Sequence, residues 1–409
     1  MAVRDVVILA AARTPIGRYG GSFKDVHPAE LGAIATRAAI ERAGVPPDEI
    51  DEVIMGHGRQ AGSGPNPARQ VGHRAGIPVT TPAQTINKAC ASGLQAIAAA
   101  AQSILLGESE CIVAGGIESM SRMPYLIDST DARWGHRMGH FPLVDAMYRD
   151  GFHDPLSNLI MGETVEILAR QYGITREQSD QFALESQQKA EAAQKAGHFT
   201  REIAPVPLPG KERGQSGASS VPAPVIDTDE HPRHGTTLEA LAKLPLVFPT
   251  VEGQPGIITA GSSSGITDGG AALVLASDKW AADRGLTALA RITGWASVGV
   301  DPRLMGIGPV PAIAKLYQRS GLDMSCFDLV EINEAFAAQV LAVLKDVPIP
   351  REKLNVNGGA IALGHPIGCS GARIVVTLLH EMQRRGVAGG LATLCASGGM
   401  GMAMAFESI

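Results

Sequence analysis

Cys90, His365 and Cys395 are the residues whose types and settings point to chemistry. Cys90 stands directly ahead of Ala91-Ser92-Gly93 and an alanine-rich run of helical composition. A thiol at a helix N-terminus meets the positive end of the macrodipole and free backbone N–H groups, which stabilise thiolate. His365 lies in the run Asn357–Gly368, among glycines and before Pro366, on a loop where backbone can approach a ligand closely. A cysteine with a histidine is the minimum for an activated thiol nucleophile. Cys395 ends the strand-like run Leu391–Cys395 and meets Ala396-Ser397-Gly398-Gly399. Two thiols and one imidazole without C-x-x-C spacing favour nucleophilic and acid–base work over zinc, so no metal is expected. Asn333 follows the strand-like run Leu329–Ile332, at the strand edge where ligands collect in α/β sheets. Its amide can orient a water or donate to an oxyanion.

The other cysteines read as packing residues. Cys111 sits mid-strand, Cys326 precedes Phe327 in a turn, and Cys369 lies beside the His365 loop. Five cysteines make no disulfide framework and imply free thiols in a reducing compartment, the cytoplasm by default. The 409 residues are 45% hydrophobic and 19% charged, the balance of a folded globular chain. Aromatics at 4% and a net charge of −6 argue against nucleic-acid partners. Met1–Ala12, followed by Arg13-Thr14-Pro15, reads as a buried first strand rather than a targeting segment. By composition no apolar run is expected to approach the roughly 18–20 residues that span a bilayer, so no membrane role is expected.

The elements that must position these residues alternate. Strand-like runs at Val6–Leu9, Glu52–Met55, Cys111–Ala114, Ala272–Leu275, Leu329–Ile332 and Leu391–Cys395 are separated by helical stretches. The pattern predicts an α/β architecture of parallel sheets with crossover helices. It also repeats. Cys90-Ala91-Ser92-Gly93 leads to a helix, a stop at Gly107, a strand and Gly115-Gly116; Cys369-Ser370-Gly371 leads to a helix, a stop at Gly386, a strand and Gly398-Gly399. Two copies of one fold, packed face to face, account for the length. Residues 1–120 with 251–285 form one half and 286–409 the other. Residues 121–250 read as a loop domain inserted over the active face, with a helix at Thr175–Gly197 and a Pro/Gly/Ser-rich stretch at Pro205–Pro224. No G-x-G-x-x-G follows Val6–Leu9, which disfavours a dinucleotide site.

Seven segments in order carry a resemblance to the thiolase family, closest to its biosynthetic acetyl-CoA acetyltransferases. They are Ala12–Gly17, Asn87–Gly93, Gly115–Met120, Thr259–Gly265, Asn333–Ala337, Gly358–Gly371 and Cys395–Gly401. The resemblance implies a layered αβαβα fold and reversible Claisen condensation of two acetyl-CoA to acetoacetyl-CoA. Cys90 would carry the acyl group, His365 would accept its proton, and Cys395 would move the proton of the α-carbon. His365, with a water bound by Asn333, would hold one thioester oxygen, and the N–H groups of Cys90 and Ser397 the other. Ser264 and Ala260 would contact the substrate arm, Arg233 the nucleotide end of coenzyme A, and Met161, Met305 and Phe336 the acyl pocket. Coenzyme A thioesters would be the substrates, with no permanently bound cofactor, and the chain would form a homodimer or homotetramer.

Three positions depart from the family pattern. Ser397 stands for a usual glycine and carries strain if that position needs positive φ. Ser262 replaces a common asparagine, and Ile160 a histidine common in the short-chain enzymes. The last leaves thiolysis of longer 3-ketoacyl-CoA open; a non-catalytic acyl-CoA- or lipid-binding relative is the alternative of another class.

Overall fold

Strand alternation sorts the core into faces. In the computed structural model, which describes residues 4–208 and 224–409, nine strands carry the architecture. They are β1 (Val6–Arg13), β2 (Glu52–His57), β3 (Ala83–Ile86), β4 (Cys111–Ser119), β5 (Thr267–Ser277), β6 (Ala290–Gly299), β7 (Leu329–Ile332), β8 (Gly389–Ala396) and β9 (Met400–Ser408). Ile112 and Ala114 of β4 and Leu273 and Leu275 of β5 face one core. Cys111, Val113, Val274 and Ala276 on the same strands face another. That is the two-residue period of a sheet buried on both sides.

The strands lie in the order β3-β2-β4-β5-β1-β6-β9-β8-β7. With the extra edge strand β3 set aside, each half runs outward from the junction in the same order, first, last, third and second strand: β1-β5-β4-β2 and β6-β9-β8-β7. The junction itself is short, with Val7 opposite Arg291 and Ile8 opposite Ala290. The expectation of parallel sheets needs correction. Pairs β2–β3, β2–β4 and β7–β8 are parallel, whereas β1–β5, β4–β5, β6–β9 and β8–β9 are antiparallel. The reason is local at β8–β9: only Ser397-Gly398-Gly399 separates them, and a three-residue loop joins antiparallel neighbours alone. Gly398 (φ 82°) and Gly399 (φ 76°) supply the left-handed turn.

Eight helices complete the frame: α1 (Pro28–Ala43), α2 (Pro67–Ala75), α3 (Ser92–Leu106), α4 (Met161–Gln171), α5 (Arg176–Lys195), α6 (Pro309–Ser320), α7 (Ala337–Asp346) and α8 (Ile367–Arg385). Helices α1 and α2 cover the outer face of the first half, and α6 and α7 that of the second. Helices α3 and α8 pack on each other between the two halves of the sheet, giving five layers. Their crossing is backbone on backbone. A Cβ on Gly93 would meet Ala372 N at 2.7 Å, and one on Gly371 would meet Leu94 N at 2.4 Å. Both helices end on left-handed glycines, Gly107 and Gly386. The run Ala89–Leu106 corrects the reading on apolar length: its 18 residues, of mean hydropathy 1.5, match a membrane span in size. In the fold it is the central helix, most of it buried between the two halves of the sheet.

Within residues 121–250, α5 starts on a Thr175/Gln178 capping box, as the sequence of that turn predicts. This region is tied to the core through Arg13 at the end of β1. The guanidinium is 1% exposed and donates to Glu202 Oε1 at 2.6 Å and to both oxygens of Asp229 at 2.7 and 2.9 Å. Removing one partner of such a buried pair typically costs about 3–5 kcal/mol. Most of the Pro205–Pro224 stretch, 209–223, lies outside the described residues.

The Gly–Gly crossing makes a direct prediction. Gly371→Ala should lower the unfolding free energy by roughly 1–3 kcal/mol through overpacking, read from urea denaturation. An unchanged midpoint would mean that the helices separate freely.

Candidate active site

The turn that presents Cys90 is shaped by short polar side chains. Asn87 Nδ2 donates to Gly58 O (3.0 Å), and Ala89 N–H donates to Asn87 Oδ1 (3.0 Å). Ser92 Oγ accepts from Lys88 N–H (2.8 Å) and donates to Ala89 O (2.6 Å). Between them Ala89 adopts φ 48°, a left-handed conformation costing a non-glycine residue about 1–2 kcal/mol. Half-buried Cys90 follows and opens into a cleft of about 980 Å³. Burial pushes its thiol above the ordinary value, against the pull of Arg59 and of the N–H groups of Ser397 and of Cys90 itself. Burial thus works against the thiolate that a helix N-terminus favours.

His365 lies across the same cleft. Ser370 Oγ, on the first turn of α8, donates to Pro366 O (3.0 Å) and so accepts from the ring at Nδ1 (2.5 Å). That assignment leaves the lone pair on Nε2, where Asn333 Nδ2 approaches to 3.4 Å. Burial first, then the charges of Arg373 and Arg59, push the imidazole down to about 3, so it is neutral around pH 7. Asn333 itself is fully buried and sits behind His365 rather than on the cleft wall. Its Oδ1 has no hydrogen-bond partner.

Cys395, at the end of β8, is buried and reaches the cleft. Burial and then the neighbouring Cys90 raise its thiol far above the usual range. Ser397 lines the cleft with its N–H turned to the Cys90 thiol. Positive φ falls on Gly398 and Gly399 and not on Ser397, so the strain feared there does not arise. Ala260, Ser264, Met161, Met305 and Phe336 wall the cleft, and Arg233 lies on it beside His231. Ile160 is also part of the wall, whereas Ser262 is buried away from it, its hydroxyl bonding within the Thr259 turn. Cys111 and Cys369 are buried; Cys326 is exposed, contrary to its reading as packing.

Several residues escaped the sequence reading. Glu118 on β4 is fully buried, and its Oε2 accepts from the N–H groups of Gly58 (3.2 Å), Arg59 (3.2 Å) and Gly368 (2.9 Å). It thereby staples the loop after β2 to the first turn of α8. Arg59 crosses the cleft wall to Gly151 O at 2.6 Å. Glu118 lay inside the segment Gly115–Met120, and a lone carboxylate in an apolar glycine-rich strand was the available signal. Ser370 was visible in the repeat without its partner.

Comparison with known proteins agrees over the whole chain. The family model described as "Thiolase, N-terminal domain" matches residues 6–279, and "Thiolase, C-terminal domain" matches 286–408. Acetyl-CoA acetyltransferase of Cupriavidus necator is 50% identical over 403 residues, covering 98% of this chain and 99% of that one. The Escherichia coli protein of the same name is 49% identical over 407 residues, with 100% of each chain covered. Among solved structures, the Bacillus anthracis acetyl-CoA acetyltransferase superposes with a TM-score of 0.93 at 46% identity, and human mitochondrial 3-ketoacyl-CoA thiolase with 0.93 at 42%, each covering 100% of both chains.

A neutral thiol beside a neutral imidazole has a measurable signature. Alkylation of Cys90 by iodoacetamide should rise about tenfold per pH unit from about pH 6 to about pH 8.5, without levelling off. A plateau near neutrality would reveal a preformed thiolate–imidazolium pair and contradict the electrostatics above.

Proposed function

The chain belongs to the thiolase family, and we infer from its cleft that it catalyses the reversible condensation of two acetyl-CoA to acetoacetyl-CoA and free coenzyme A. One observation carries this reading: Cys90, Cys395 and His365 meet in a single cleft, with the N–H groups of Cys90 and Ser397 turned onto the Cys90 thiol. Cys90 Sγ attacks the thioester carbon of the first acetyl-CoA while His365 Nε2 takes its proton. The coenzyme A thiolate leaves and receives that proton. The tetrahedral oxyanion falls to the two N–H groups, each such donor typically worth about 2.7–4 kcal/mol in the transition state.

In the second half-reaction Cys395 gives up its proton to water in the cleft, and the thiolate so formed removes a proton from the α-carbon of the next acetyl-CoA. The carbanion attacks acetyl-Cys90, and the departing Cys90 thiolate takes a proton back from water, which restores both thiols. Burial suits Cys395 to this task, because a thiolate that forms reluctantly is a strong base once formed. Acylation also prevents Cys90 from ionising, and a thiolate there would oppose one on Cys395. His365, with a water held by Asn333, receives the enolate oxygen. Ser264 and Ala260 take the pantetheine arm, Arg233 the nucleotide end, and Met161, Met305 and Phe336 the acyl group. Coenzyme A comes and goes with the substrates in this reading, and the working form is a cytoplasmic homodimer or homotetramer. Exposed Tyr125, Trp134, Met138 and Leu143 support self-association.

Thiolysis of longer 3-ketoacyl-CoA is a second reading, favoured by the apolar Ile160 in the cleft wall. Turnover of acetoacetyl-CoA against 3-ketohexadecanoyl-CoA separates the two, and a strong preference for the long chain would sink the first. Cys90→Ala should abolish both directions. Cys395→Ala should still take up acetyl on Cys90, seen by intact mass, yet lose condensation by roughly 10²–10⁴-fold. Near-normal condensation in that variant would contradict the role of Cys395.

A further inference from the structure

Beneath the reacting groups lies a second polar pair that the steps above do not use. Arg373 on α8 is 1% exposed, and none of its three guanidinium nitrogens makes a hydrogen bond. Its ion-pair partner is Glu331 of β7, with Nη1 to Oε2 at 3.5 Å and the glutamate 4% exposed. A buried guanidinium so sparsely satisfied is costly, and it stands where two sequence periods coincide. Glu331 and Asn333 are two residues apart, hence on one side of the extended chain. Ser370 and Arg373 are three apart, hence on one face of the helix. The result is two rungs between the β7 segment and α8. The upper is Asn333–His365–Ser370, at the cleft; the lower is Glu331–Arg373.

The charges around both rungs are few. His365 is faced by Arg59 from the loop after β2 and by Arg373 of α8, it shares the cleft with Cys90, Cys395 and His231, and Glu118 of β4 acts on Cys90 and Cys369. Around the lower rung stand Cys369 on α8 itself, Glu334, Glu202 and Lys189, with Arg13 beyond Cys369. Burial first holds the Glu331 carboxyl up at about 8 despite Arg373, with Glu334 and Glu202 adding to the rise. The guanidinium charge is therefore incompletely cancelled at neutral pH.

We propose that the Glu331–Arg373 pair is a positioning element of the transferase site: it holds Asn333 and His365 in register and keeps a fixed positive charge beneath the imidazole. That charge keeps the ring unprotonated until it accepts the Cys90 proton, and it hastens the handover to the departing coenzyme A thiolate. The proposal rests on His365 being that acceptor.

The test is acyl-Cys90 formation in a short acetyl-CoA pulse, read by intact mass after pH jumps between about pH 4.5 and 8. In the unmodified protein the imidazole lies below this range and imposes no acid limb. Arg373→Met should raise the imidazole, so that acylation falls progressively toward the acid end of the range where the unmodified protein stays level. Arg373→Lys should keep the unmodified profile, and Glu331→Gln, which leaves the guanidinium charge in place, should bring in no limb. A merely structural role predicts instead that Arg373→Met loses the same factor at every pH, and that parallel profile would overturn the proposal. If Arg373→Met does not fold, the double variant Arg373→Gln/Glu331→Gln, uncharged and able to pair by amides, carries the same expectation. His365→Gln is measured alongside. Acylation surviving there overturns both this proposal and the reading of His365; acylation lost there, with a parallel Arg373→Met profile, overturns the positioning role alone.

Discussion

The approach of two helix backbones is the constraint on which the rest of this molecule depends. Gly93 and Gly371 let α3 and α8 cross with no side chain between them. Because the crossing lies at the second residue of α3 and the fifth of α8, the Cys90 turn and the His365–Ser370 turn converge. Other close contacts follow from the same approach. A Cβ on Gly116 would meet Gly368 O at 2.3 Å, and one on Gly368 would meet Gly58 N at 2.4 Å. Glu118 can accept N–H groups from both loops at once only because those loops are pressed this closely together.

Convergence so deep in a protein has an electrostatic consequence. Burial disfavours every charged form it encloses, so it raises Cys90 and Cys395 and lowers His365. The site thus rests as two thiols and a neutral imidazole rather than as ions. Its reactivity is held in directed N–H groups and in lone pairs of assigned direction, which act when charge develops during reaction. Ser370 shows how economical the arrangement is: by donating to Pro366 O it places the proton on Nδ1 and the lone pair on Nε2, the atom that Asn333 Nδ2 approaches.

How much of this was legible in the sequence depended on whether a residue acts locally. Cys90, His365 and Cys395 announced themselves through glycine-rich and helix-start contexts, which are neighbours along the chain. The repeat was legible too, because its two serine–glycine turns look alike as strings. Strand direction was not: β5 follows β4 by more than a hundred residues, and nothing local says that it returns antiparallel to it. The helix-start argument for the Cys90 thiol was incomplete, because local dipole reasoning omits the desolvation that comes from packing against distant segments such as Ile367 of α8. Arg13, Glu118 and Arg373 stayed hidden for a related reason. A buried charge is explained by partners such as Asp229, Gly368 or Glu331, found far away in sequence.

The repeated serine has a last implication. Ser92 and Ser370 occupy the same place in the two copies, each just before the glycine of the crossing. Ser92 bonds only to the backbone of its own turn, and so bends the chain that presents the Cys90 thiol. Ser370 bonds one backbone carbonyl and one imidazole, and so orients the His365 ring. Near-twofold architecture here carries a difference between its copies: one turn presents a thiol, the other an imidazole. A molecule built from two copies of either half would keep the crossing and the layers yet hold two thiol turns or two imidazole turns, and never the two across one cleft.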